Sequence, residues 1–186
     1  MLTSYRQPRI ITAGGKLVYK TPAIAGYVLL LAACAATEPE GPSVSATVRP
    51  ASGSQVSGSV KFTQVLSRVR VDAQLAALTP GAHGFHIHEN GDCSAPDAMS
   101  AGGHFNPNGK KHGGPDAAVR HSGDFGNLIA DANGKVTQTL WFEGISVSTG
   151  MDGIIGRAVV VHADPDDLKT DPTGNSGARV GCGVIR

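Results

Sequence analysis

The sequence has no marked excess of charge of either sign. Sixteen Lys and Arg residues face fifteen Asp and Glu residues, which gives a formal net charge of +1. All of that positive excess lies at the N-terminus, because residues 1–33 contain four basic residues and no acidic one. The rest of the chain holds twelve basic residues against fifteen acidic ones, a net charge of −3. Such a chain lacks the basic footprint of a nucleic-acid-binding protein, so we expect no nucleic-acid partner.

Aromatic residues and helical periodicity are also scarce. Aromatic residues make up only 5% of the chain, whereas glycine accounts for 25 of its 186 residues. No segment repeats its apolar residues at the spacing that an amphipathic helix needs. This composition favours a turn-rich β protein, and the length is sufficient for one well-buried core.

Alternation of apolar and polar residues predicts β-strands along much of the chain. Residues 44–48 and 69–75 alternate with a period of two, as strands with one buried face do. Asn133-Gly134 is typical of a β-hairpin turn and predicts that residues 127–130 and 135–142 pair with each other. Further strands are predicted at residues 56–65, 154–161 and 179–185. Several short strands separated by turn residues indicate an all-β sandwich or barrel.

Two stretches rich in Gly, Pro, Asp and Asn interrupt this pattern, at about residues 91–124 and 164–177. Loops of this length in a compact domain are usually functional. We therefore expect the chemistry of the protein to lie in these two loops and beside the strands that they connect.

The sequence also lacks an apolar run long enough to cross a membrane. The run at residues 22–33 is shorter than the ~20 residues that a membrane span needs. Basic residues precede it, as in a secretory signal peptide. The sequence Leu31-Ala32-Ala33-Cys34 at its end resembles the processing box of a bacterial lipoprotein.

This resemblance implies three segments. Residues 1–33 would be a lipoprotein-type signal peptide, and residues 34–43 would be a short flexible tether that begins at a lipidated Cys34. Residues 44–186 would form the folded domain, anchored by the lipid on the periplasmic side of a membrane in a bacterial cell envelope. The alternative is an ordinary signal peptide in which Cys34 has no special role.

Cysteine is rare, and the count is odd. If Cys34 is lipidated, Cys93 and Cys182 remain to form a disulfide in an oxidising compartment. The alternative is that Cys93 binds a metal beside the neighbouring histidines, which would leave Cys182 unpaired.

Histidine, by contrast, is concentrated in one segment. Six of the seven histidines lie in a Gly-rich stretch, at His83, His86, His88, His104, His112 and His121, and the seventh is His162 at the end of an apolar run. Neutral imidazole is the commonest metal ligand in proteins. This concentration indicates a site for borderline metals such as copper or zinc.

The spacing of these histidines predicts which of them share an ion. His86 and His88 are two residues apart in a strand-like segment, so their side chains lie on the same face, and His162 could supply a third imidazole from a neighbouring strand. The long loop carries three more histidines and Asp124, a set that can close a tetrahedral zinc site. Asp124 could equally be an ordinary turn residue.

Six motifs, in this order, resemble those of copper–zinc superoxide dismutases: GFHIHENGDC, SAGGHFNP, KHGGP, RHSGDFGN, VVVHADPDDL and TGNSGARVGCGVI. The similarity runs from about residue 44 to residue 185. It implies an eight-stranded Greek-key barrel, flattened into an antiparallel sandwich. The short run from Cys93 to His104 and the lipoprotein-like N-terminus resemble the bacterial envelope branch of the family.

The same resemblance implies a role for each motif residue. Copper would be bound by His86, His88, His104 and His162, and zinc by His104, His112, His121 and Asp124. His104 would bridge the two ions and would also be catalytic, taking up a proton when copper is reduced and delivering it in the second half-reaction, and His83 would be structural. Asp166 would hydrogen-bond a copper ligand and a zinc ligand, Arg179 would dock the anionic substrate, and Cys93 and Cys182 would form the disulfide of the family.

The activity implied is dismutation of superoxide to dioxygen and hydrogen peroxide, with copper and zinc as cofactors. The main alternative is a non-catalytic module of the cell envelope that binds or stores the two metals. A structural envelope protein and a metal-dependent hydrolase using Glu89 are weaker alternatives, because the first would not need intact metal motifs and the second would want a better-placed general base. A homodimer and a monomer are both left open.

Overall fold

The structure, a computed structural model, describes residues 38–186. The predicted signal peptide and the predicted lipidation site at Cys34 lie outside the described residues. Within residues 38–186, no helix has the length and apolar character needed to span a membrane.

Eight antiparallel strands and one short 3-10 helix make up the described part of the chain. The strands are β1 (Glu40–Pro50), β2 (Ser57–Val65), β3 (Arg68–Ala76), β4 (Gly81–His88), β5 (Asp124–Ala130), β6 (Val136–Phe142), β7 (Ala158–His162) and β8 (Arg179–Val184), and the helix is Met99–Ala101. Their hydrogen-bonded order is β5-β4-β7-β8-β1-β2-β3-β6. Consecutive strands β3 and β4, and likewise β6 and β7, are therefore not neighbours, as in a Greek key. The predicted all-β, eight-stranded Greek-key barrel is confirmed.

Two long connections leave this barrel where the sequence predicts them. The first loop (residues 89–123) connects β4 to β5, and the second loop (residues 163–178) connects β7 to β8. β4 and β7 are hydrogen-bonded neighbours that run antiparallel, so the two loops begin at opposite ends of this strand pair.

The strand boundaries differ from the prediction at two places. β1 begins at Glu40, which pairs with Val65, so the last four residues of the segment predicted as a tether belong to the strand. The central strand predicted at residues 154–161 begins only at Ala158. Residues 154–157 form a turn in which the backbone N–H of Arg157 donates to the carbonyl of Ile154. An apolar run alone does not distinguish such a buried turn from a strand.

The predicted hairpin at Asn133-Gly134 is wrong in its pairing. The turn itself is present, because Gly134 has a φ of +71° and donates its N–H to the carbonyl of Asp131. However, β5 pairs with β4, and β6 pairs with β3. The two strands that flank the turn are the two edges of the barrel. Phe125 on β5 stacks on Phe142 on β6, with 3.7 Å between their ring centroids, and this contact brings the edges together.

Strands β4 and β7 are buried on both faces, the one toward the barrel core and the one on the outside of the barrel. Phe85, Ile87, Val159 and Val161 belong to the main hydrophobic core. The alternate residues of the same strands, His86 opposite Val160 and His88 opposite Ala158, lie on the outer face. These outer residues are also buried. The two loops therefore cover this face, which is what makes a dry site beside the sheet.

Candidate metal centre

Strands β4 and β7 hold three histidines on the covered outer face of the barrel. His86 and His88 alternate with core residues of β4, and His162 ends β7. His104 reaches them from the first loop, where its backbone forms an isolated bridge with His88. Each of the four offers one nitrogen, and these nitrogens all lie within 4.8 Å of one another.

The four converging nitrogens have no hydrogen-bond partner. They are His86 Nδ1, His88 Nε2, His104 Nε2 and His162 Nε2. A buried polar atom without a partner is costly, so four of them around one point need an explanation. A metal ion bound to all four would satisfy them, and an all-imidazole site without thiolate suits copper.

The opposite nitrogen of each strand histidine has an acceptor that fixes the ring. His86 Nε2 donates to Asp166 Oδ2 at 2.9 Å, and His88 Nδ1 donates to the carbonyl of Gly102 at 2.9 Å. His162 Nδ1 donates to the carbonyl of Gly177 at 3.3 Å. These contacts set the tautomer that leaves the inward nitrogen unprotonated, as metal-binding histidines require.

A second cluster is formed by His104, His112, His121 and Asp124, whose ligand atoms also lie within 4.8 Å of one another. The Nδ1 atoms of the three histidines lie 2.8, 3.0 and 3.2 Å, in that order, from Asp124 Oδ1. His104 Nδ1 and His121 Nδ1 are 3.4 Å apart. Tetrahedral zinc with bonds of about 2.0–2.1 Å would separate its ligand atoms by about 3.3 Å. The cluster therefore fits a closed zinc site.

Backbone N–H groups orient the carboxylate of Asp124 in this cluster. The N–H groups of His121 and Gly113 donate to Asp124 Oδ2 at 2.8 and 3.1 Å, which leaves Oδ1 facing the three histidines. Asp124 is the first residue of β5, so the carboxylate is held at the edge of the sheet. The alternative in which Asp124 is an ordinary turn residue does not account for this arrangement.

His104 is shared by the two clusters. Its Nε2 is one of the four converging nitrogens of the first cluster, and its Nδ1 lies 2.8 Å from Asp124 Oδ1 in the second. One imidazole thus faces both sites and would supply one nitrogen to each.

Asp166 connects the two clusters by a second route. Its Oδ2 accepts from His86 Nε2, and its Oδ1 lies 2.9 Å from His112 Nε2. Asn127 holds the backbone of Asp166 through a reciprocal pair of hydrogen bonds of 2.7 and 2.9 Å. Gly174, with a φ of +62°, packs so closely that an added Cβ would collide with Asp166 Oδ1. Asp166 thus has little freedom to move.

Sequence reasoning did not single out Asn127. It stands in the motif RHSGDFGN, but nothing in its spacing shows that its amide reaches across to the second loop. The same holds for the carbonyl of Gly102, because backbone acceptors carry no side-chain signal.

Burial and charge set the protonation of the metal-free histidines. Burial is the main cause that lowers the pKa of His86 to about 4 and that of His162 to about 3, and it lowers the pKa of His88 as well. Burial alone would lower the pKa of His112 too, but hydrogen bonds to Asp124 and Asp166 outweigh it and raise this pKa to about 10. His86, His88 and His162 are therefore neutral near pH 7, whereas His112 in the second cluster holds a proton.

Arg179 lies beside the first cluster. It begins β8 opposite His162, and its guanidinium donates to the carbonyls of Ala98 and Gly102 at 2.8 and 2.7 Å. The carbonyl of Gly102 is also the acceptor for His88. The guanidinium and a histidine of the first cluster are therefore fixed by the same oxygen atom.

His83, Cys93 and Cys182 lie outside both clusters. His83 is buried and donates from Nδ1 to the carbonyl of His162 at 2.8 Å. Cys93 and Cys182 form a disulfide with an S–S distance of 2.01 Å, which excludes Cys93 as a metal ligand. The disulfide joins the first loop to β8.

Comparisons with known proteins agree with this geometry. Residues 56–185 match the family described as copper/zinc superoxide dismutase. A protein named superoxide dismutase [Cu-Zn], from Paramecium bursaria Chlorella virus 1, is 46% identical over 137 residues, which cover 70% of this chain and 72% of that protein. A crystal structure described as that of the clock protein EA4 superposes with a TM-score of 0.70 at 43% identity, over 80% of this chain and 95% of that one. The cofactors of this family are copper and zinc, and the two clusters supply a fitting donor set for each. The chain belongs to the copper/zinc superoxide dismutase family.

Proposed function

We propose that this protein catalyses the dismutation of superoxide to dioxygen and hydrogen peroxide. The observation that carries the proposal is the set of four buried, unpartnered imidazole nitrogens around one point, with His104 shared by a second cluster of zinc-like geometry. We assign His86, His88, His104 and His162 to copper and call them the copper cluster. We assign His104, His112, His121 and Asp124 to zinc and call them the zinc cluster.

Copper bound to the first cluster supplies one-electron redox chemistry in both directions, and zinc, which has no redox chemistry, holds the second cluster together. The residues of the protein must then bind the superoxide anion and supply protons for the formation of peroxide. His104 can carry a proton at Nε2 whenever that nitrogen is not bound to metal, because its Nδ1 side is held in the second cluster. Peroxide formation takes two protons, and Nε2 is a donor that lies beside the reacting centre.

Arg179 is assigned the role of binding the superoxide anion. Two carbonyl oxygens accept from its Nη1 and Nη2 atoms, so the guanidinium is held in a fixed orientation beside His88 and His162. A guanidinium keeps its charge at any relevant pH and suits a small anion.

The first experiment measures superoxide dismutation by the full-length protein loaded with copper and zinc, against the same protein loaded with zinc alone. We expect activity only with copper, and we expect cyanide to abolish it. No activity with both metals bound in stoichiometric amounts would refute catalysis and leave metal storage or delivery as the better account.

We also propose that the chain is a lipoprotein of a bacterial cell envelope, anchored through Cys34. The supporting observations are the basic segment, the apolar run at residues 22–33 and the Leu-Ala-Ala-Cys sequence. The pairing of Cys93 with Cys182 leaves Cys34 as the cysteine outside the disulfide. Labelling with a fatty-acid analogue in a bacterial host, with Cys34→Ser as the control, tests this. Equal labelling of the variant would contradict lipidation at Cys34. Oligomeric state is a separate question, and sedimentation of the lipid-free variant would distinguish a monomer from a homodimer.

A further inference from the structure

The outer nitrogens of the three zinc-cluster histidines differ in their surroundings. All three rings turn Nδ1 toward Asp124 Oδ1. His104 Nε2 faces the copper cluster, and His112 Nε2 is bound to Asp166 Oδ1 at 2.9 Å. His121 Nε2 is directed at a different group, the carboxylate of Asp171, whose Oδ1 lies 3.8 Å away.

The same oxygen of Asp171 also holds a second zinc-cluster histidine. Asp171 Oδ1 accepts the backbone N–H of His112 at 2.8 Å. Asp171 belongs to the second loop, whereas His112 and His121 belong to the first loop. One carboxylate oxygen therefore joins the two loops at the point where two zinc-cluster histidines meet.

The tautomer of His121 determines whether an N–H group faces Asp171. If Nδ1 of His121 binds zinc, the proton of the neutral ring must sit on Nε2. That N–H then faces an anionic oxygen, and a carboxylate in this position orients the ring and makes its metal-binding nitrogen more basic. The distance of 3.8 Å is longer than a direct hydrogen bond, and the Asp171 side chain is 49% exposed. Solvent therefore screens the charge, and the backbone bond to His112 contributes more.

We propose that Asp171 is a positioning residue for the zinc site. It fixes the backbone of His112 by a hydrogen bond and orients His121 by its charge. This inference rests on the zinc assignment made under Proposed function, and it concerns Asp171 alone. Asp171 differs in this role from Asp166, which binds the ring of His112 and also contacts His86 of the copper cluster.

The experiment compares three variants of the full-length protein. Asp171→Ala removes both contacts, and Asp171→Asn keeps an oxygen that can accept from the backbone of His112 but removes the charge. Asp116→Asn removes a charge from an exposed position of the first loop and is the matched control. Zinc affinity is measured by competition with a chromophoric chelator, copper affinity by a parallel competition, and ligand geometry by the visible absorption of cobalt(II) bound in the zinc site.

We expect Asp171→Ala to weaken zinc binding by about 10- to 100-fold. We expect Asp171→Asn to weaken it by about two- to fivefold, because only the screened charge is lost. Both variants should shift the cobalt absorption bands, while Asp116→Asn should leave them unchanged. Copper affinity should stay within about twofold in all three variants.

Zinc affinity of Asp171→Ala within about twofold of the unaltered protein would overturn the proposal. So would an equal loss of zinc and copper affinity, since that indicates general loosening of the loops. The experiment measures metal binding and not dismutase activity, so it tests the role of Asp171 independently of the proposed activity. An unaltered protein that binds zinc but does not dismute superoxide would refute the proposed activity and leave the role of Asp171 intact, and one that takes up no zinc would refute the zinc assignment itself.

Discussion

Removal of the Asp166 carboxylate should weaken zinc binding far more than copper binding. Asp166→Ala deletes two buried contacts at once, the 2.9 Å bond to His112 Nε2 and the 2.9 Å bond to His86 Nε2. The two histidines differ in what else holds them. His86 lies within β4 and is flanked by β5 and β7, whereas His112 lies in the first loop.

The structure sets the size of the effect. A hydrogen bond to a charged group in a buried site is worth about 1.5–3 kcal/mol. Its loss at His112 corresponds to a decrease in zinc affinity of about 10- to 100-fold, since 1.4 kcal/mol is about tenfold. His86 keeps its backbone pairing, and its three partners in the copper cluster are untouched, so we expect copper affinity to fall by less than about tenfold.

The measurement is chelator competition for each metal separately, on the full-length protein. Asp164→Asn removes a charge from an exposed position of the same loop and serves as the control. Zinc affinity unchanged within about twofold would refute the reasoning, because it would mean that the bond to Asp166 does not hold His112. Copper affinity falling as much as zinc affinity would also refute it, because the sheet would then not be what fixes His86.

Three further results are expected from the same structure. Arg179→Ala should lower the rate of dismutation by roughly tenfold, with copper and zinc contents unchanged, and should flatten its dependence on ionic strength; full activity in this variant would exclude the docking role. Replacement of Cys93 and Cys182 by serine should lower the free energy of unfolding of the metal-free protein by up to about 4–5 kcal/mol on the loop-entropy account, because the disulfide spans 89 residues, and urea titration measures this. Zinc affinity of the metal-free protein should rise about tenfold per pH unit above neutrality, because zinc must displace the proton of His112, whose pKa is about 10. Copper affinity should depend on pH less steeply than zinc affinity above about pH 5, because the pKa of His86 is about 4 and that of His162 about 3, and a copper affinity that follows the zinc profile would contradict both assignments.

Much of the fold is readable from local patterns in the sequence. Period-two alternation at residues 44–48 and 69–75 marks strands whose inner residues are buried, and both are strands in the structure. The pairing around Asn133-Gly134 is not readable in this way. A turn sequence reports only the local backbone, whereas the partners of β5 and β6 are decided by closure of the barrel.

The spacing of residues in the sequence predicts part of the membership of the two clusters. Two histidines at i and i+2 of a strand must share a face, and the structure brings His86 and His88 to one point. The assignment of His104 to both clusters came from family resemblance, because spacing along a loop does not show which side an imidazole presents to each neighbour. Asp171 carried no motif signal, since its contacts with His112 and His121 depend on how two loops meet.

The arrangement explains why His104, and no other copper-cluster histidine, is suited to exchange a proton. The outer nitrogens of His86, His88 and His162 already donate to fixed acceptors, namely Asp166 and the carbonyls of Gly102 and Gly177. A proton placed on the inner nitrogen of any of these rings would create a buried imidazolium, which burial disfavours. His104 differs because its Nδ1 faces the second cluster, where in the proposed assignment it would bind zinc and carry no proton. A proton at Nε2 of His104 would then give a neutral imidazole and no buried imidazolium, and the ring would keep its orientation while Nε2 exchanges its partner.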